Sequence, residues 1–134
     1  MAKKSAGILL YRLKKGFLEV FLVHPGGPFF IKKDDGAWTI PKGEFDTEEP
    51  LAAAKREFLE ETGIPVSGEF IELQPIIQKG GKKVFAWALE KNIDAAAIQS
   101  NHFEMEWPPR SGKYQSFPEV DKGGWLQLKK QRKK

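Results

Sequence analysis

The sequence has no cysteine among its 134 residues and only two histidines. Without thiols there is no disulfide scaffold, zinc-thiolate site, iron-sulfur cluster or cysteine nucleophile, and a metal would be left with oxygen and nitrogen ligands. His24, which precedes Pro25, and His102 have no partner at ligand spacing, so both are expected to be structural. Long apolar runs are also missing. Ala6 to Tyr11 and Leu18 to Val23 fall far short of a bilayer span, and the start at Lys3-Lys4 shows no cleavage pattern. These absences predict a soluble, cytoplasmic protein with no membrane partner. Internal repeats and linkers are absent too, so one domain over residues 1–128 is expected, followed by a tail at 129–134.

The formal net charge is +4. Lys129-Lys130-Gln131-Arg132-Lys133-Lys134 carries five of the 22 positive charges, which leaves 17 basic against 18 acidic residues elsewhere. The basicity therefore belongs to the tail, a solvated block of like charge or an arm for polyanions.

Ser5 to Leu13 and Phe17 to Val23 predict two antiparallel strands joined by a turn at Lys14-Lys15-Gly16. The stretch to Gly36 reads as loop, with Phe29-Phe30-Ile31 a short buried piece or flap, and Trp38 to Pro41 as a short extended segment. Leu51 to Glu61 lacks Gly and Pro, Pro50 suits a first turn, and Gly63 stands where a left-handed terminator belongs, so a helix is expected at about residues 50–62. Leu51, Ala54 and Phe58 form its core stripe, while Arg56, Glu57, Glu60 and Glu61 lie on the other side with Ala53 among them. Further strands are expected within Val66 to Gln78, over Lys83 to Leu89, at Phe103 to Trp107 and at Gly124 to Leu128, with Pro108 to Pro118 a polar loop. Strands around one strong helix imply a mixed α/β domain.

Glu57, Glu60 and Glu61 are related by i, i+3 and i+4 spacing, which projects them within about 100° of one another. Each like-charge pair weakens a helix by roughly 0.2–0.5 kcal/mol, and acids in a last turn oppose the helix dipole. A divalent cation reverses that balance. Mg²⁺ and Mn²⁺ prefer hard carboxylate oxygens, and Ala53, one turn before Glu57, is expected to leave room for the ion. The competing reading is an acidic face neutralised by nearby lysines.

Gly43-Glu44-Phe45-Asp46-Thr47-Glu48, read as a turn, precedes the helix, which continues Arg56-Glu57-Phe58-Leu59-Glu60-Glu61-Thr62-Gly63-Ile64. This resembles the Nudix box: Gly, five residues, Glu, seven residues, Arg-Glu, an apolar residue, any residue, Glu-Glu, any residue, Gly, apolar. One departure is visible. Four residues rather than five separate Gly43 from Glu48, and Thr47 stands where the pattern often has glycine. Trp38 to Glu44 resembles the segment before the box in hydrolases related to diadenosine tetraphosphate hydrolases. Phe103 to Gly112, with Phe117-Pro118-Glu119 and Trp125, is similar to a bacterial nucleotide pyrophosphohydrolase branch.

The resemblance implies a Nudix-type α/β/α sandwich with a mixed sheet, and Mg²⁺-dependent (or Mn²⁺-dependent) hydrolysis of a pyrophosphate bond in a nucleoside diphosphate joined to another group. Glu57, Glu60 and Glu61 would be the metal ligands, with the Gly43 carbonyl a further contact; Arg56 would orient the acids, including Glu48. The general base stays open between Glu57 or Glu60 and a later acid, Glu104 or Glu106, with Glu104 slightly preferred. Lys42 is the first candidate for phosphate, ahead of Lys32, Lys33, Arg110 and Lys113, and Tyr114 and Phe117 are candidates to stack on a base. Two alternatives stand beside this one: removal of pyrophosphate from the 5′ end of RNA, with the tail drawing in the backbone, and a non-catalytic Nudix-like nucleotide-binding module.

Overall fold

The computed structural model describes residues 3–28 and 38–128. Phe29 to Ile31, Lys32, Lys33 and the tail at 129–134 lie outside them.

Strands β1 (Lys4–Lys14) and β2 (Phe17–Pro25) form the expected hairpin, closed by Lys15 and Gly16 at φ 53° and 81°. Two consecutive positive φ values give the type I′ geometry that matches the twist of two-residue hairpins. β3 (Lys42–Phe45) pairs antiparallel with the first half of β1, which gives the latter half of the same edge to β2. The expected turn from Gly43 to Glu48 is thus half strand. Helix α1 spans Pro50–Thr62. It begins under a Glu49 carboxylate that accepts the Ala52 N–H at 3.0 Å and ends at Gly63, φ 75°.

The stretch from Val66 to Gln78 contributes only β4 (Ile71–Glu72) and β5 (Ile76–Ile77), both antiparallel to β6 (Lys83–Glu90), which runs parallel to β1. A 3-10 turn at Ala95–Ala97 leads to β7 (His102–Glu106) and β8 (Tyr114–Pro118), which form a separate two-stranded sheet. The expected loop from Pro108 to Pro118 therefore ends in a strand. β9 (Val120–Gln127) returns to the main sheet beside β2 as its edge. Mixed strands with a helix packed against them match the predicted α/β class.

Register decides the two faces of the sheet. Ala6, Ile8 and Leu10 stand across from Phe85, Trp87 and Leu89; all but the partly buried Phe85 lie in the core with Phe21 and Val23, and Phe85 packs against it. α1 covers this face, with Phe58 6.4 Å from Phe21 and Phe45 6.0 Å from Phe85 between ring centroids. Ala53 belongs to that core and is fully buried. It belongs to the core stripe with Ala54 and Phe58, not to the polar side on which helical angle alone sets it. None of the helices among the described residues is long and apolar enough to cross a membrane.

Candidate active site

The last two turns of α1 carry the candidate acids. Glu57 is buried, because its side of the helix turns toward β3, where Gly43 receives it. Arg56 binds Glu48 with two parallel hydrogen bonds, Nε to Oε2 at 2.8 Å and Nη2 to Oε1 at 2.6 Å. Its Nη1 also donates to Glu57 at 2.7 Å and to Glu60 at 3.1 Å. One planar cation thus ties together three acids, a geometry lysine does not reproduce. The short approach from Gly43 to Glu48 does not prevent it.

These contacts divide the acids electrostatically. Arg56 holds Glu48 below the usual carboxylate range, and Glu48 in turn makes Arg56 grip its proton more tightly. Burial raises Glu57 despite the Arg56 hydrogen bond, with Glu60 adding to the rise. Glu61 goes further, pushed up to about 8 by burial, then by Glu57 and Glu119, against a backbone hydrogen bond from Lys42.

Glu119 is a residue the sequence reading did not single out for a role. Its position is fixed through the backbone. Asn101 N–H donates to the Glu60 carbonyl at 2.7 Å, Glu119 N–H donates to the Asn101 carbonyl at 2.8 Å, and Gly26 N–H donates to the Glu119 carbonyl at 3.0 Å. Gln99 N–H closes on the Thr62 carbonyl at 2.8 Å. The free carbonyls of the helix end therefore recruit the 99–101 segment, and that segment brings Glu119 to the acids. Burial, Glu60 and Glu57 raise its carboxyl. Only its adjacency to Phe117-Pro118 in the resembling segment marked it in the sequence.

A cationic group borders the acids. Lys42 is held below its usual pKa by burial and by Lys82, with Glu61 and Glu44 acting the other way. Glu44 pairs with Lys82 at 3.0 Å and with Lys3 at 3.9 Å, so three ammonium groups surround one carboxylate.

Most of the remaining predicted residues sit on the β7–β8 hairpin. Glu104 is exposed on β7 across from Ser116. Glu106 accepts the backbone N–H groups of Gly112 at 2.8 Å and Arg110 at 3.3 Å, so it shapes the hairpin loop. Arg110, Lys113 and Tyr114 are exposed on that hairpin, and Phe117 packs on Phe103 at 6.0 Å. His24 is buried with Nδ1 3.0 Å from Asp121 and its ring against Trp38, in keeping with a structural residue.

Among the described residues no three His, Asp or Glu side chains converge as a finished metal shell. The donor chemistry nevertheless fits a hard divalent ion. Glu57, Glu61 and Glu119 are each raised by burial and by neighbouring carboxylates, Glu60 among them; such a hard-oxygen set is one that a small cation relieves, and ions such as Mg²⁺ complete their shells with water.

A NUDIX domain sequence model matches residues 1–130. No individually curated protein matches the chain. Among solved structures, the NUDIX domain of Shewanella oneidensis NrtR, complexed with ADP ribose, superposes with a TM-score of 0.63 at 17% identity, covering 95% of this chain and 73% of that one. A C. elegans Ap4A hydrolase gives 0.54 at 25% identity, over 94% and 79% of the two chains. A MutT described from Aliivibrio salmonicida and Vibrio cholerae gives 0.51 at 19%, over 93% and 77%. A domain match along almost the entire chain, together with an Arg56-centred carboxylate helix in a mixed sheet, places this protein in the Nudix hydrolase family, which acts on nucleoside diphosphate derivatives.

Proposed function

We propose that the protein cleaves a phosphoanhydride bond in a dinucleoside polyphosphate or nucleoside triphosphate with Mg²⁺ or Mn²⁺ as cofactor. The observation that carries this reading is the boundary between two opposite charge clusters: Glu57, Glu60, Glu61 and Glu119 on one side, Lys42, Lys82 and Lys3 on the other. A phosphate chain crossing that line meets ammonium groups while its bridging bond lies beside the carboxylates.

Glu57, Glu60 and Glu61 would hold the ion, with the Gly43 carbonyl as a backbone contact. When bound, the ion screens phosphate charge and lowers the pKa of a coordinated water. Glu119 is our choice to accept the proton of the attacking water, ahead of Glu104, because its raised pKa makes it a stronger base than an ordinary carboxylate and its backbone is tied to the helix end. Arg56 keeps Glu57 and Glu60 in place through its grip on Glu48. Lys42 and Lys82 take phosphate oxygens as point charges, Arg110 on the β7–β8 hairpin is a further phosphate contact, and Tyr114 on the same hairpin stacks on the base. The likeness to an Ap4A hydrolase at 25% identity supports the dinucleoside class.

The test is a panel of dinucleoside polyphosphates, nucleoside triphosphates, ADP-ribose and 5′-triphosphate RNA, each with Mg²⁺ and with Glu60→Gln as control. Release of nucleotide from a dinucleoside polyphosphate, lowered by orders of magnitude in Glu60→Gln, supports the proposal. Unchanged turnover in Glu60→Gln removes that residue from the site, and turnover of the RNA alone moves the substrate to the polymer reading.

A further inference from the structure

Glu119 is the single residue between β8 and β9, the point at which the chain leaves the two-stranded sheet for the main one. Neither ladder includes it, so strand pairing alone does not set its direction. The two peptide groups that bound it do. On the first, the Glu119 N–H donates to the Asn101 carbonyl at 2.8 Å. On the second, the Glu119 carbonyl accepts from the Gly26 N–H at 3.0 Å, and the Val120 N–H donates to the Ser100 hydroxyl at 3.1 Å. With both planes held, φ and ψ of Glu119 are fixed, and with them the line along which its side chain leaves the backbone.

Ser100 supplies the part of this clamp that depends on a side chain. Val120 is buried, and Pro25, its register partner on β2, has no N–H to offer, so the polar groups of Val120 have to be satisfied elsewhere. The Ser100 hydroxyl accepts the Val120 N–H and lies within donor reach of two carbonyls, Val120 at 3.1 Å and Asn101 at 2.8 Å. It has one hydrogen to give, and the Asn101 carbonyl is the same one that receives Glu119. The register of β9 shifts beside this point, leaving Asp121 out of the ladder with its carboxylate 3.0 Å from His24 Nδ1. Such bulges re-aim the side chains next to them. Gly26 closes the clamp from the opposite side, where a Cβ would lie 2.0 Å from the Pro118 carbonyl oxygen.

We infer that Ser100 is a positioning residue for hydrolysis: its hydroxyl, joined to the backbone on both sides of Glu119, aims that carboxylate at the acids of α1. The inference rests on the reading of Glu119 as the proton acceptor. An acceptor has to stand within hydrogen-bond reach of the attacking water, and a misplacement of about 1 Å costs up to about 100-fold in rate. A tie that only held β9 to the 99–101 segment would act through stability and spare kcat below the melting transition. The contact spans 20 positions, so nothing local in the sequence marks it.

The experiment is a double-mutant cycle of Ser100→Ala and Glu119→Gln in the full chain, on the panel substrate that the native protein turns over fastest, with circular dichroism and thermal melting to check the fold. Glu119→Gln is expected to lower kcat at least about 100-fold, and Ser100→Ala about tenfold with KM within about twofold of native. On the Glu119→Gln background, Ser100→Ala should change kcat by less than about twofold, since a residue that acts through Glu119 has nothing left to aim. Ser100→Thr keeps the hydroxyl and should hold kcat to within about threefold of native. Gly26→Ala displaces the Pro118 carbonyl without touching Ser100; it is the second variant, expected to show the same loss of kcat and the same silence on the Glu119→Gln background. Native kcat in folded Ser100→Ala, or losses that multiply in full in the double variant, overturns the inference while a low kcat in Glu119→Gln leaves the proton acceptor in place. Native kcat in Glu119→Gln, or no turnover of any panel member by the native protein, removes the proton acceptor itself and with it the task of Ser100.

Discussion

The carboxylate of Glu57 fills the space in which a side chain at Gly43 would begin: a Cβ there would lie 2.0 Å from Oε1 and 2.6 Å from Oε2. Glycine is required by close approach, since β3 pairs in regular register with β1 at this residue. Gly43→Ala therefore has to push Glu57 out of its place under β3. The expected outcome is a loss of turnover of at least tenfold with little loss of stability, because the atoms that must give way are the far end of a flexible side chain. Denaturant titration and kcat measured on the same preparation check the two effects.

Arg56 makes a second prediction. Its planar fork satisfies Glu48 with two bonds and reaches Glu57 and Glu60 with a third nitrogen. Arg56→Lys keeps the charge and loses the fork. Turnover is expected to fall 10- to 100-fold, the range for residues that orient metal ligands, with the fold retained. Glu48→Gln keeps some of the hydrogen bonding and is expected to fall less. If Arg56→Lys equals the native enzyme in kcat, charge alone is enough and the geometric argument fails.

Local signals made the hairpin, the helix and β6 legible. Gly16 and Gly63 occupy positive φ at the two terminations the sequence predicted, and Pro50 begins the helix. Elements that depend on distant partners were not legible. β3 has four residues and acquires its strand character from β1, some forty positions earlier, so Gly43 to Phe45 reads locally as a turn. β8 ends in Pro118 and carries little apolar alternation; it exists because β7 pairs with it. The helix acids were visible in their spacing. Glu119 was not, because its relation to them passes through Asn101 and the carbonyl of Glu60. Ala53 was misread because helical angle alone does not reveal that the Glu57 side of α1 is packed against strands.

Glu61 sets a pH dependence. With the metal absent, its carboxyl is raised from 4.5 to about 8, so the folded chain holds a proton that the unfolded chain releases near 4.5. A raised acid pKa means that stability from this group is fully present below about 4.5 and is lost as pH rises through about 8. Metal-free protein should therefore show a falling melting temperature across that window, and Glu61→Gln should flatten the slope. If Glu61 holds the ion as proposed, binding at pH 7 has to displace this proton. Calorimetry of Mg²⁺ binding in buffers of different ionisation enthalpy should detect proton release at pH 7, absent at pH 9 and absent in Glu61→Gln.

Lys82 tests whether the lysines of the proposed site serve phosphate recognition apart from chemistry. It touches Glu44 at 3.0 Å and bears electrostatically on Lys42, yet it lies on β6's approach rather than on α1. Lys82→Ala is expected to raise KM several-fold for substrates with three or more phosphates while kcat changes little. Steady-state kinetics on a series of increasing phosphate number checks this, and an equal effect at every length would assign Lys82 to general electrostatics.

Arg12 anchors the far end of the sheet, away from the acids. Its Nε donates to Glu19 at 2.6 Å, its Nη1 to Asn92 at 2.6 Å, and its guanidinium lies 4.0 Å from the centroid of the Trp125 ring. Trp125 is fixed in turn by its Nε1 donating to the Ile93 carbonyl at 3.1 Å and by an edge contact with Phe21. Neighbouring strands and the segment after β6 thus meet at one guanidinium. A lysine there keeps one ion pair and loses the stacked plane and the divergent donors. Arg12→Lys is expected to cost about 1–2 kcal/mol of stability, from the lost stacking and hydrogen bonding, with kcat and KM unchanged. Urea unfolding of the pair of proteins measures the first quantity, and hydrolysis below the transition measures the second. A kinetic defect without a shift in midpoint would mean that this end of the sheet communicates with the acids, contrary to the separation seen here.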